Sequence, residues 1–238
     1  MRLFSRRQAI RAAGAITFAA GLASAARAAN QISFAVTIRN VATDRTLKLP
    51  DGTTANAPIA PGVFVVASRP NVLFAADAYA DETLERLAED GNFQPLLDRV
   101  SAMNELKASG MFIPGQPFSF SASPGDRLQF ATMFVQSNDL FFAPRDGGIA
   151  LFDFGGRATH GNVTSRVSLF DAGTEVNQYP GAGPDQAPRQ PGPDTGAAER
   201  VPIDLVQNRR DGFAYPSVES VIEVAIEAVG AGAARRAG

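Results

Sequence analysis

Leu128-Gln-Phe-Ala-Thr-Met-Phe-Val-Gln-Ser-Asn-Asp-Leu-Phe-Phe142 and, further along, Arg166-Val-Ser-Leu-Phe-Asp-Ala-Gly-Thr-Glu175 decide how this chain reads. Between Arg127 and Val135, Leu128, Phe130, Thr132 and Phe134 alternate with Gln129, Ala131, Met133 and Val135. Both sets are largely apolar, which predicts a strand buried on both faces and therefore central to its sheet. Val163 to Phe170 alternates again, with Val163, Ser165, Val167 and Leu169 opposed to Thr164, Arg166, Ser168 and Phe170. Each run ends in a carboxylate, Asp139 after the first and Asp171 after the second. If the two strands run the same way, both carboxylates reach one tip, with Asn138, Glu175 and Asn177 nearby. Carboxylates held together repel, and a hard cation bound by carboxylate, carbonyl and water oxygens relieves that repulsion. Spacing alone leaves the other reading open, in which both aspartates are turn formers bonded to nearby backbone N–H groups.

The flanking sequence is mostly strand-like. Ile32, Phe34, Val36 and Ile38 share one face of a strand over 31–39, and Pro61 to Val66 reads as a second. Between them lies a polar connection with a tight turn at Asp51-Gly52. Phe118 to Ala122 and Arg127 to Val135, joined by Ser123-Pro-Gly-Asp126, read as a hairpin. Phe141 and Phe142 are expected to plug the end of the core, and Ile149 to Phe154 to form a short strand. Asn177 to Ile203, rich in Pro and Gly, reads as a long surface loop over the sandwich end. Ser220 to Ala228 reads as a final, half-exposed strand. Only 81–109 breaks the pattern. Leu84, Leu87 and Ala88, then Leu96, Leu97, Val100, Met103 and Leu106, recur at helical spacing around Asp90-Gly91-Asn92. That predicts a short helix, a turn and a longer helix packed on the sandwich edge, with Arg99 and Lys107 facing outward. A lid over a ligand is the sharper alternative for this insert.

The first 29 residues read as an export signal: Ser5-Arg6-Arg7 in a basic start, an apolar run from Ala12 to Leu22, and Ala26-Arg27-Ala28 as a cleavage site. The apolar run is too short to span a bilayer, so no membrane insertion is expected after cleavage. The expected division is signal 1–29, β domain 30–229 and tail 230–238, in a periplasmic or secreted protein. The whole chain has 22 Lys+Arg and 24 Asp+Glu. Five arginines and no acid fall in the signal, leaving 17 basic against 24 acidic residues, a net charge near −7. An acidic domain is a poor binder of nucleic-acid phosphates and a better one of divalent cations.

Composition also restricts chemistry. With no cysteine and one histidine, His160, thiol nucleophiles, thiolate zinc and multi-histidine metal sites are excluded. No Gly-x-Ser-x-Gly elbow is present. Asp139 and Asp171 could form a glycosidase pair, but such a cleft wants aromatic platforms, and the chain has no Trp and three Tyr. A non-enzymatic protein is therefore expected.

Ser137-Asn138-Asp139 after an apolar strand, followed by Phe170-Asp-Ala-Gly-Thr-Glu175, resembles the spondin N-terminal domain family of extracellular matrix proteins and their bacterial secreted members. Ser123-Pro-Gly-Asp-Arg-Leu128, Ala131-Thr-Met133 and Gln186-Ala-Pro-Arg-Gln190 extend the similarity over nearly all of 30–229. The resemblance implies a mainly β, C2-like antiparallel sandwich with Ca2+ bound at one loop end. It carries the two loop aspartates of the family onto Asp139 and Asp171, and a further acid onto Glu175. The chain departs from the animal pattern where Leu140 replaces a Trp, where Phe120 stands near the position of a third acid, and in lacking cysteines. What it implies about function is adhesion, with a cell-surface, matrix or polysaccharide ligand. A carbohydrate- or polymer-binding module using the same tip, and a metal-free structural domain, are the alternatives.

Overall fold

The computed structural model describes residues 31–229. The expected signal and tail lie outside the described residues. In chain order the strands are β1 (Ile32–Asn40), β2 (Leu47–Lys48), β3 (Thr54–Ala55), β4 (Gly62–Ala67), β5 (Ala108–Phe112), β6 (Pro117–Ala122), β7 (Arg127–Met133), β8 (Leu140–Pro144), β9 (Ile149–Ala150), β10 (Gly161–Asn162), β11 (Val167–Asp171), β12 (Asp204–Leu205) and β13 (Ile222–Val229). The helices are α1 (Glu82–Asp90), α2 (Gln94–Ser101) and the single turn α3 (Val218–Val221). One antiparallel sheet has the order β10-β13-β1-β6; the other has the order β12-β11-β8-β7-β4-β5, with β9 added beside β7. The fold is a mainly β antiparallel sandwich.

Period-two alternation builds its interior. Phe34, Val36 and Ile38 of β1 and Ile222, Val224 and Ile226 of β13 are fully buried, and they share one core with Phe64, Val66, Leu128 and Phe130 of the facing sheet. Phe64 stacks on Phe118 at 4.2 Å between ring centres, and Phe34 meets Phe152 edge-on at 5.5 Å. Such pairs add about 0.5–1.5 kcal/mol each beyond the area they bury. β13 is half-exposed as expected, with Ile222, Val224 and Ile226 inward and Glu223 and Ala225 on the outer face, and it lies between β1 and the two-residue β10.

A second core lies on the other side of the larger sheet. Val63, Val65, Ala131, Phe141, Ala143 and Phe170 point away from the sandwich interior and pack against Leu84, Leu87, Leu96 and Val100 of the two helices. The insert thus covers a sheet face rather than an edge, forming a third layer. That explains why β7 is apolar on both sides. It also corrects the reading of Phe141 and Phe142: they belong to β8, and each enters a different core.

Three other expectations change. The arms 118–122 and 127–135 are not a hairpin, because β6 pairs with β1 while β7 pairs with β4 and β8. The Ser123–Asp126 turn carries the chain from one sheet to the other, and the stacking of Phe118 and Phe120 across the sandwich takes the place of strand pairing. The second helix, expected to be the longer, is the shorter of the two: it stops at Ser101, because the chain must turn back so that Ala108–Phe112 can pair with β4. β11 begins only at Val167, after a 3-10 turn over Thr164–Arg166.

α1 is set by its ends. Asp81 Oδ1 accepts from the Thr83 and Leu84 N–H groups, both at 3.0 Å, and Gly91 closes the helix at φ 68°. Asp81 Oδ2 also accepts from Arg99 at 2.7 Å, and Arg99 NH2 donates to the Leu73 carbonyl at 2.7 Å. Arg99 therefore joins the two helices to the segment that follows β4 instead of facing solvent freely. Asp81→Ala should lower stability by about 1–2 kcal/mol, from the lost cap and the exposed ion pair. Asp81→Asn, which keeps the cap acceptor, should lose less. Urea unfolding of the two variants checks this.

Candidate metal centre

β8 lies between β7 and β11 and is antiparallel to both, so β7 and β11 run the same way. This is the condition under which their terminal carboxylates share a tip. The register sets Asp171 opposite Leu140, and the Ala172 N–H donates to the Asp139 carbonyl at 3.2 Å. Asp139 and Asp171 are both fully buried.

The Ser137-Asn-Asp139 turn organises the second loop. Ser137 Oγ donates to the Phe134 carbonyl and accepts from the Leu140 N–H. Asn138 Nδ2 donates to Glu175 Oε2 at 3.1 Å, and its Oδ1 accepts from the Gln178 N–H. Asp139 Oδ2 accepts from the Thr174 N–H at 2.9 Å, the Glu175 N–H at 3.2 Å and the Thr174 hydroxyl at 3.3 Å. The two halves of the deciding stretch are therefore bound to each other. Asp139 Oδ1, by contrast, is buried without any hydrogen-bond partner. An orphaned carboxylate oxygen inside a protein is costly, and calls for a proton or a cation.

The two aspartates differ in how they are satisfied. Asp171 Oδ1 accepts from the Gly173 N–H at 2.7 Å and Arg209 NH2 at 3.1 Å; its Oδ2 accepts from Asn177 Nδ2 at 2.6 Å and Arg209 Nε at 3.0 Å. Those four bonds use the acceptor capacity of a carboxylate. Asp171 is thus a turn former through Gly173 and half of a buried ion pair through Arg209. Burial, and then the Asp171 charge beside it, push the Asp139 carboxyl well above its usual range; the N–H groups of Thr174 and Glu175 pull the other way.

A second acidic group adjoins this pair. Carboxylate oxygens of Glu89, Glu175 and Asp194 lie within 4.8 Å of one another. Glu89 and Glu175 are buried and Asp194 is exposed. Calcium–oxygen bonds of about 2.4 Å fit ligand atoms spaced in this way. Glu175 Oε1 accepts from the Gly196 N–H at 2.8 Å, and a Cβ at residue 196 would displace the same carboxylate. Thr174 lies between the two groups: its N–H and hydroxyl donate to Asp139, and it lines the same cleft as Glu89. Burial, with the charges of Glu175, Glu85 and Asp194, raises Glu89 to about 7, opposed by the nearby Thr174 hydroxyl. Burial raises Glu175 too, opposed by the bonds from Asn138 and Gly196. Beside these groups opens a cleft of about 270 Å³, with Tyr79, Glu85, Glu89, Thr174, Asp194 and Glu199 on its walls.

Of the residues selected from sequence, Asp139 and Asp171 converge, and Glu175 joins a cluster with two acids not anticipated. Glu89 had a signal. It repeats Glu85 four residues on and stands at the C-terminal end of α1, and both features disfavour a helix unless the carboxylate has another use. Asp194, at φ 55° within a Pro/Gly loop, had none. Phe120, near the position where the resemblance drawn from the sequence implies a third acid, lies in the sandwich core. No family model matches the chain, and no curated protein matches it.

Proposed function

We propose that this chain is a non-enzymatic, calcium-binding β-sandwich module of the spondin N-terminal kind, exported to the periplasm or beyond. Its braced loop end would present a surface to a cell-surface or matrix partner. The observation that carries the reading is the cluster of Glu89, Glu175 and Asp194, whose carboxylate oxygens lie within 4.8 Å of one another with two of these acids buried, adjoining the partnerless Asp139 Oδ1. A cation there relieves the repulsion among these carboxylates. Glu89, Glu175 and Asp194 are the ligands with the best spacing. Asp139 adjoins the cluster through the Glu175 N–H, and Asp171 stays with Arg209. Such an ion ties the helical layer to the loop after β11 and to the Pro/Gly loop, three segments far apart in the chain.

Thermal unfolding during a calcium titration tests this. A site raises stability by RT ln(1 + [Ca2+]/Kd), about 2.7 kcal/mol at a hundredfold excess over Kd. The Glu89→Gln/Glu175→Gln/Asp194→Asn variant should lose the shift. Asp171→Asn should lower the starting stability yet keep most of the shift. Absence of any shift in the unaltered chain, or an equal shift in the triple variant, refutes the proposal.

A further inference from the structure

The end of the sandwich opposite Asp171 carries a basic cleft. The chain leaves β10, at the edge of one sheet, makes the turn at Thr164–Arg166 and enters β11 of the other sheet. This crossing forms one wall of an open cleft of about 470 Å³; the other wall is the Asp153–Arg157 turn. Arg157, His160, Asn162, Ser165 and Arg166 all line it and are exposed.

Its hydrogen-bond inventory is unbalanced toward donors. Asp153 is the one carboxylate on its walls. Asp153 Oδ1 accepts from the Gly155 and Arg157 N–H groups, and Oδ2 accepts from Arg157 Nε at 2.8 Å. These bonds hold the Asp153 carboxyl below its usual range. They also fix the Arg157 guanidinium while leaving its two terminal nitrogens uncommitted. Arg166 makes one long bond, from NH1 to the Ala150 carbonyl at 3.4 Å. Asn162 uses its Oδ1 on the Thr164 N–H, which leaves its Nδ2 donor free. Two guanidiniums, an amide, a hydroxyl and an imidazole around one open space are the groups that bind a carboxylate or sulfate carried on a hydroxylated ring. At the crest of the adjoining turn, Phe154 is fully exposed. An apolar ring held out by a turn, next to such donors, offers a stacking face that the fold itself does not use.

The acidity of the chain does not cancel this end. Arg166 precedes β11 and Asp171 ends it, so they are about 16 Å apart along a strand that rises about 3.3 Å per residue. That exceeds the Debye length of about 10 Å at 0.1 M salt. The geometry points to a binding site for an anionic polysaccharide in this cleft, with Arg157 and Arg166 on the acidic group and Phe154 against the ring. The site is independent of the calcium reading, which concerns the other end.

Affinity electrophoresis in gels containing polygalacturonate or dextran sulfate tests it, in EDTA so that calcium plays no part. Neutral dextran and anionic phosphatidylglycerol vesicles serve as comparators. The chain should be retarded by at least one of the two acidic polymers and not by dextran, with retardation falling as salt rises. Arg157→Gln/Arg166→Gln should weaken binding at least tenfold, and Phe154→Ala severalfold, with both variants keeping the unaltered thermal midpoint because these side chains lie outside the cores. Failure of both acidic polymers to bind, equal binding by the double arginine variant, or preference for vesicles over both polymers would overturn the site.

Discussion

Arg209→Met is expected to destabilise the chain by about 3 kcal/mol at neutral pH, because it leaves a buried carboxylate without its cation. Arg209 contributes two hydrogen bonds to Asp171 and a third, at 2.8 Å, to the Pro202 carbonyl. Asp171 is fully buried while Arg209 is about one-fifth exposed, so removing the arginine strands the charge on the inside. The bonds from Gly173 and Asn177 remain, which keeps the cost near the lower end of the range of about 3–5 kcal/mol for a broken buried pair. In a chain of this size such a loss lowers Tm by roughly 6–12 °C. Asp171→Asn in the same chain removes the stranded charge and should recover part of it, so a double-mutant cycle should give a clear coupling. A loss below about 1 kcal/mol for Arg209→Met would show that the pair is screened by solvent and is not what neutralises the tip.

The second large effect is on pH dependence. Without metal, stability should fall as pH rises from about 4.5 to about 7. The sign follows from Glu89, whose folded pKa is raised to about 7 from 4.5. Between those values the folded chain binds a proton that the unfolded chain has released, so raising pH favours unfolding. At about 1.4 kcal/mol for each factor of ten, Glu89 alone accounts for about 3 kcal/mol, fully present below 4.5 and lost above 7. The raised carboxyls of Asp139 and Glu175 act in the same direction. Thermal unfolding in EDTA from pH 4.5 to 8 should therefore give a midpoint that declines with pH, contrary to the usual behaviour of salt-bridged carboxylates. Glu89→Gln should flatten the decline. Saturating calcium should remove it too, since a cation takes over from the protons. A midpoint that climbs across this window would mean that these carboxyls are ionised and solvated in the folded chain.

Much of the architecture was legible because burial leaves a local trace. The alternation in 32–38 and 222–226 marks which side chains face the core. The two apolar faces of 128–133 announced a strand covered on both sides, although what covers the second face, the helices carrying Leu84, Leu87, Leu96 and Val100, could not be read from the strand itself. The false hairpin at 118–135 shows the limit. A turn sequence specifies a reversal of direction, but whether the second arm pairs beside the first or crosses to another sheet depends on partners elsewhere, here β1 for one arm and β4 and β8 for the other.

The site divides in the same way. Sequence alone determined that Asp139 and Asp171 follow apolar, strand-like runs, and that Glu175 comes closely after the second; the structure puts Asp171 at the end of β11 and Asp139 in the turn just before β8. Sequence also determined that cysteine and clustered histidine play no part. Only the tertiary structure decided that β8 aligns the two strands, that Arg209 takes Asp171, and that Asp139 keeps an oxygen with no partner. It alone brought Glu89 from the helical layer and Asp194 from the Pro/Gly loop to Glu175. The physical reason is that side-chain direction follows a short period along the backbone, which a sequence displays. The partner of a buried charge is set by strand order and loop path, and these arise from contacts between residues far apart in the chain.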